Sequence, residues 1–422
     1  MIGRIKYLLF FPVAYYFGFW AHIQLKKWNP RVIVVTGSSG KTTLFQMIEA
    51  QLGEVAHFSH HANSAIGIPF DILDLHRKTL KPTEWIGLII KAPQQAFRKP
   101  YKENIYVAEC DADRPSEGSF LAKMLKPEIT LWVSTSRTHS MNFDKLVPKK
   151  FKSVEDAIAY EFGTFLAYTS STVVIDGDSI LMKDQLERTK ATVHEVYAKE
   201  MDSYKIERNG TEFKIDDKTI RFRSLQPRAI AISILMTKFL VNHLDLTFDP
   251  SFKELKIPPA RSSLFRGIKN ITIIDSTYNA NLSSMSALLS MLKEYPAKNK
   301  WAVIGDMLEQ GREEGEEHEK LADLILSLDL ERIVLLGPRV KKYTYPILEK
   351  KLKGKTPVDV FENPREVLNL LSQEIHGHET ILFKGARFLE GVIENLLLDK
   401  KEKNMLARRE KIWEERRKKW GL

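Results

Sequence analysis

The chain has 422 residues, 43% of them hydrophobic and 28% charged, which suits two or three domains with their own cores and excludes a disordered protein. Its formal charge of +10 is concentrated: residues 399–422 carry ten Lys/Arg against five Asp/Glu, about half of the excess, so a generally basic surface that coats nucleic acid is excluded. Cys110 is the single cysteine; it can form no internal disulfide and no zinc site by itself, which fits a reducing, cytosol-facing compartment.

Tyr7 to Ile23 is a run of seventeen residues whose only ionisable hydrophile is His22, flanked by Arg4 and Lys6 before it and by Lys26, Lys27 and Arg31 after it. Its length is at the lower limit for crossing a bilayer, and Pro12 with the aromatic rings suits an interfacial or tilted helix equally. Residues 1–28 are therefore expected to associate with the membrane, from its cytoplasmic face. The competing expectation is a hydrophobic helix packed on the next domain or at a dimer interface.

An apolar strand then runs directly into a glycine turn and an amphipathic helix: Val32-Ile-Val-Val-Thr-Gly-Ser-Ser-Gly-Lys-Thr-Thr43. Gly37 and Gly40 allow a tight turn whose backbone N–H groups point inward, Lys41 adds a point charge, and Thr42 offers a hydroxyl to Mg²⁺. With Ser38, Ser39 and Thr43 they form a phosphate cradle of compact type, because two residues separate the glycines where the usual nucleoside-triphosphate loop has four. Strand-like runs at Ile105 to Glu109, Ile129 to Ser134 and Val173 to Asp176 alternate with helical segments, the pattern of a mainly parallel sheet. From Tyr204 to Arg223 the period shortens, with Asn209-Gly210 and Asp216-Asp217 as turns, which predicts a small antiparallel meander; a helix over Arg228 to Asn242 follows.

Past Pro258 and Pro259 the strands at Ile271 to Ile274, Trp301 to Ile304, Ile333 to Leu336, Val358 to Phe361 and Ile381 to Phe383 each precede a helical segment, as in a doubly wound Rossmann-like domain. Asp275, Asp306 and Lys384 stand at or just past strand ends, the edge where such sheets bind ligands. The expected architecture is thus α/β: a hydrophobic helix (1–28), a P-loop central domain (29–262), a Rossmann-like domain (263–398) and a basic amphipathic tail (399–422). The tail reads as a helix lying on anionic lipid or as a solvated helix.

Eight stretches together resemble the Mur ligase family of ATP-dependent amide ligases, nearest to its D-alanyl-D-alanine-adding branch: Thr36 to Thr43, Asn63 to Pro69, Val107 to Glu109, Thr135 to His139, Pro259 to Arg261, Asp275 to Asn281, Gly305 to Glu309 and Lys384 to Arg387. The resemblance implies a carboxylate that takes the γ-phosphate of ATP to form an acyl phosphate, and an amine that displaces phosphate. It implies Thr42 and Glu109 as ligands of Mg²⁺, and His139 as ligand of a second metal. Arg261 and Asp275 are implied at the phosphate or ribose and Asn279 near adenine. Lys384 and Arg387 are implied at the substrate carboxylate or acyl phosphate. Read alone, His139 is an ordinary loop histidine, Asp275 to Asn281 a helix N-cap, and Arg387 a solvated helix start.

Three departures qualify this. The family's carbamylated lysine is missing, and Glu161 at the matching place is expected to supply the second metal's charge. The family's Gly-x-His-Asn-x-x-Asn stretch reads Ser224-Leu-Gln-Pro-Arg-Ala-Ile230. Only about thirty residues precede the cradle, where the UDP-muramoyl enzymes carry a UDP-gripping domain, so the carboxylate is expected to be lipid- or polymer-linked and the amine an amino acid or dipeptide. Three alternatives stay open: a membrane ligase resembling the poly-γ-glutamate synthases, a soluble-substrate ligase whose UDP-binding domain is provided by a partner subunit, and an inactive ATP-binding scaffold.

Overall fold

The computed structural model describes residues 2–60, 62–77 and 82–422, so Met1 of the N-terminal segment lies outside it. Helix α1 (Ile2–Trp28) leads into β1 (Arg31–Thr36), and α2 (Lys41–Leu52) follows the glycine turn. β1 joins β2 (Ala56–Phe58), β3 (Ile105–Cys110), β4 (Ile129–Trp132), β5 (Thr172–Asp176) and β6 (Thr192–Val196) in a wholly parallel sheet of order β2-β3-β1-β4-β5-β6. Helices cover both faces of such a sheet, which is why β1 and β3 are apolar almost throughout and buried along nearly their whole length. The strand order reverses beside β1, so the chain leaving β1, β3 and β4 opens onto one crevice.

The first compact unit comprises Met1–Ala198, Ile232–Asp249 and Lys253–Leu255. Its α1 corrects the expectation of a membrane anchor on the cytoplasmic face. Among the described residues no helix is both long and apolar enough to cross a membrane. Instead Ala14, Phe17, Ala21 and Leu25, at helical spacing, are buried in the core that also holds Val34, Tyr106 and Ala108 of the sheet. The Phe17 ring lies 4.7 Å from Phe70 in α3 (Gly67–Ile72) and 6.2 Å from Trp85 in α4 (Pro82–Ala96). Gly18 admits Phe120 of α5 (Glu117–Leu125): a methyl at Gly18 would sit 2.6 Å from that ring. The apolar stripe is satisfied by protein. Phe17→Ala is accordingly expected to destabilise the chain by about 3–5 kcal/mol, and Phe19→Ala, on the 60% exposed face, by less than about 0.5, as read by denaturant unfolding.

The second unit comprises Lys199–Ala231, Pro250–Phe252 and Lys256–Leu422. It begins with the expected meander, β7 (Met201–Glu207), β8 (Gly210–Ile215) and β9 (Lys218–Phe222), antiparallel throughout. Gln226, in the stretch that departs from the family pattern, is buried beside it and donates its side-chain amide to Ser224 Oγ. A second six-stranded sheet has the order β10-β11-β15-β12-β13-β14, built from β10 (Ser263–Arg266), β11 (Thr272–Ser276), β12 (Lys300–Gly305), β13 (Arg332–Leu336), β14 (Val358–Phe361) and β15 (Thr380–Lys384). Only β10 is antiparallel in this sheet, and like β2 and β6 of the first sheet it has no counterpart in the sequence reading. The tail is not one helix lying on lipid. A turn at Lys400–Met405 and a helix at Lys411–Lys418 flank Arg408, whose φ is 57°, and Leu406 enters the core of this unit.

Candidate active site

The glycine turn is locked to the chain leaving β4. Ser38 N–H donates to Ser134 O (3.0 Å) and Ser39 N–H to Ser134 Oγ (2.8 Å), while the Ser38 hydroxyl donates to Ser136 O (2.7 Å). Gly37 has φ 135° and lies so close to the β4 exit that a Cβ would sit 2.7 Å from Ser134 O, so glycine is required there on both counts. Gly40, the N-cap of α2, has no side chain to bond the first-turn N–H groups, and Lys41, Thr42 and Thr43 stand in that first turn behind an end that favours anions.

Two side-chain pairs face this turn. The Thr42 hydroxyl donates to Glu109 Oε1 (2.9 Å), joining the two residues that the resemblance assigns to one metal. Lys41 is buried; its ammonium donates to Gly37 O (2.6 Å) and lies 2.8 Å from Asp111 Oδ2. Asp111 was missed in the sequence, and so was Asp113. The signal for both is the strand period: past Glu109, every second residue leaving β3 is a carboxylate. Asp111, Asp113 and His139 offer ligand atoms within 4.8 Å of one another, and His139 Nε2 is 3.1 Å from Asp113 Oδ1. Burial and the neighbouring Asp111 raise the Asp113 carboxyl above the usual range, with His139 and Lys41 opposing.

Glu161, on α6 (Val154–Phe162), is not in that cluster. Its Oε1 accepts Ser119 N–H (3.2 Å) at the start of α5. Burial raises its pKa, and the N–H groups of Ser116, Ser119 and Gly118 oppose the rise. A neighbouring carboxyl, Glu117, is wholly buried, accepts Ala65 N–H (2.9 Å), and is pushed up to about 7 chiefly by burial.

In the second unit β11 and β15 run side by side, and their ends place Asp275 among the charges that act on Lys384. Asp275 is fully buried: Oδ1 accepts the N–H and hydroxyl of Thr277 (3.0 and 2.7 Å), whereas Oδ2 has no hydrogen-bond partner among the described residues. Burial pushes this carboxyl up to about 6. Lys384 donates to Asn279 O, and burial, aided by the Arg261 charge, brings its ammonium down to about 7. The Arg261 guanidinium sits 5.1 Å over the Tyr278 ring. The Asn279 side chain turns to its own backbone, accepting Ala280 N–H (2.8 Å), and Asn281 supplies the N-cap of the helix Leu282–Glu294. Arg387 is no solvated helix start, since it pairs at 3.0 Å with the fully buried Asp306.

The Mur ligase, glutamate ligase domain model matches residues 260–387. The UDP-N-acetylmuramoyl-tripeptide--D-alanyl-D-alanine ligase of Rickettsia prowazekii is 25% identical over 374 residues, covering 85% of this chain and 75% of the relative. The Escherichia coli enzyme of the same name is 23% identical, covering 73% and 64%. Among solved structures, MurF ligase of Thermotoga maritima in complex with ADP superposes with a TM-score of 0.73 at 20% identity, over 90% of this chain and 83% of that one. The folylpolyglutamate synthase of Mycobacterium tuberculosis, complexed with ADP and AMPPCP, superposes with a TM-score of 0.61 at 13% identity, over 93% of this chain and 97% of that one. Residues 260–387, which bear Arg261, Asp275 and Lys384, thus match the Mur ligase, glutamate ligase domain, and relatives of one name are similar to this chain along most of its remaining length.

Proposed function

We propose that the chain is an ADP-forming amide ligase of cell-envelope peptide synthesis. A substrate carboxylate attacks the γ-phosphate of ATP; ADP leaves, and the resulting acyl phosphate is attacked by an amine. Phosphate departs as the amide forms. By analogy with the relatives' names, the carboxylate belongs to a UDP-muramoyl-peptide precursor and the amine to an amino acid or a dipeptide such as D-alanyl-D-alanine. The observation that carries the reading is the convergence of the Lys41–Asp111 and Thr42–Glu109 pairs on a turn whose backbone N–H groups are fixed by β4. Phosphoryl transfer needs positioning and charge neutralisation above all, and these groups supply both.

Thr42 and Glu109 would hold one divalent cation, and Asp111, Asp113 and His139 a second. Hard oxygen donors with one imidazole fit Mg²⁺ or Mn²⁺, and a cation there neutralises phosphate charge. Lys41 orients the β- and γ-phosphates. Glu161 acts as a positioning residue that fixes the start of α5, rather than as a metal ligand. In the second unit Asp275 Oδ2 is a buried acceptor free for a ligand hydroxyl, and Asn279 and Arg261 flank it as nucleotide contacts. Lys384 receives an anionic substrate group.

The test supplies the purified chain with ATP, Mg²⁺ and candidate acids and amines, singly and in pairs, and follows ADP, phosphate and product mass. A ligase releases phosphate only when acid and amine are both present, with a new amide mass. Phosphorylated product that accumulates whatever the amine would identify a kinase, and ATP binding without turnover under every pair would sink the ligase reading in favour of a scaffold.

A further inference from the structure

The Asp275 to Asn279 loop and the Gly385 to Phe388 loop that follows Lys384 are both held by the last twenty residues of the chain. Arg408 donates from Nη1 to Thr277 O (3.2 Å) and from Nη2 to Tyr278 O (2.6 Å), and its Nη1 is 3.4 Å from Glu390. Glu390 is wholly buried, in the first turn of the helix Leu389–Leu396. Arg417 bonds Arg408 O (2.7 Å) and approaches Glu390 at 3.7 Å, so the tail supplies both cations to this buried carboxylate. Such a pair is hard to break, because removing the cations leaves an uncompensated buried charge.

An independent observation concerns the second loop. Arg387 and Phe388 are consecutive non-glycine residues at φ 86° and 64°. Backbone of this kind persists only where the surroundings over-determine it. Asp306 grips Arg387, and the rings of Trp413 and Trp420 lie 6.4 and 6.5 Å from that of Phe388. The chain between Lys384 and Phe388 is thereby fixed at its far end by the tail. The same loops meet at Lys384, which donates to Asn279 O.

We propose that residues 400–422 are a positioning brace for the Asp275–Lys384 site: Arg408 sets the carbonyls that precede Asn279, and Trp413 with Trp420 sets the turn after Lys384. The inference rests on the reading that this loop meets the nucleotide. Arg408 touches neither nucleotide nor substrate and acts through the loop.

The test compares the full-length wild type with Arg408→Lys, Arg408→Ala and Trp413→Ala by hydrogen exchange without ligand, by ADP affinity, and by KM and kcat for ATP. Lysine keeps the charge facing Glu390 but replaces the rigid two-nitrogen fork that holds the Thr277 and Tyr278 carbonyls with a single rotatable nitrogen. A brace predicts that Arg408→Lys melts near the wild type, exchanges faster at 277–281, and binds ADP about tenfold more weakly with an about tenfold higher KM for ATP and kcat within about twofold, from the lost charge-assisted bonds. Trp413→Ala should loosen 385–388 selectively. Wild-type ADP affinity in Arg408→Lys, or loosening spread evenly over the second unit, would overturn the brace. If the wild type itself binds no ADP, the nucleotide reading fails, and selective exchange at 277–281 still decides whether the tail holds the loop.

Discussion

Replacing Lys41 with alanine is expected to cut ATP-dependent amide formation by about 10³-fold, the scale on which fixed positive charge at a transferring phosphoryl group acts. The side chain is nine-tenths buried and already aimed, bonded to Gly37 O and paired with Asp111. Its removal also strands the Asp111 carboxylate, whose side chain is 10% exposed, at a cost of about 3–5 kcal/mol in stability. Lys41→Arg separates the two effects. Arginine keeps the pairing with Asp111 and so most of the stability, but it is planar where a compact ammonium is needed, and turnover should still fall. Product formation together with urea unfolding of both variants checks this; full turnover in Lys41→Ala would remove the cradle from the mechanism.

The second large effect is a pH dependence set by Lys384. Burial is the principal cause of its lowered pKa of about 7, and Arg261 adds to the shift. If the ammonium form receives an anionic substrate group, kcat/KM for the carboxylate should fall about tenfold per unit as the pH rises above about 7, since kcat/KM reports the free enzyme's ionisation. Lys384→Met should lower activity by about 10²-fold at pH 6.5 and abolish that falling limb.

Stability should move with the opposite sign. Below pH 7 Lys384 is charged in both states, and its burial penalty is fully present. Between about 7 and about 10.4 the unfolded chain keeps a proton that the folded chain has lost, so stability rises with pH across that window. Asp275, raised to about 6, works the other way lower down: between about 3.9 and 6 the folded chain keeps a proton that the unfolded chain has lost, and stability falls as the pH rises. Urea midpoints measured from pH 4 to 9 in wild type, Lys384→Met and Asp275→Asn would show a minimum near pH 6–7, whose rising side Lys384→Met flattens and whose falling side Asp275→Asn makes shallower, Glu117 supplying the rest of that fall.

The elements that carry the chemistry were legible because their signals are local. β1, the Gly37–Gly40 turn and α2 follow one another without interruption, and the strands at Ile271, Trp301, Ile333, Val358 and Ile381 each announce themselves by a short apolar run before a helix. β10 did not, since four residues with partly exposed faces carry no such run, and it is defined only by pairing with β11. Which strands neighbour which was not legible either, because hydrogen-bond order in a sheet depends on contacts far apart in sequence.

The sequence by itself determined that the chain holds a strand, a Gly37–Gly40 turn and a helix opening with Lys41 and Thr42, a strand-end Glu109, a doubly wound second half, and a hydrophobic first helix. Tertiary structure alone decided what four of its features meet. The stripe Ala14, Phe17, Ala21 and Leu25 would suit lipid or protein equally, because both are apolar, and packing against α3, α4 and α5 assigns it to protein. The carboxylate of Glu161 meets the start of α5, a neighbour that no spacing in the sequence announces. Asp111, Asp113 and His139 come together only because β3 and β4 flank β1 and release their ends on the same side. The tail's arginines looked solvated in a run of charges, and the buried Glu390 that holds them lies far enough back in the chain that only folding brings the charges together.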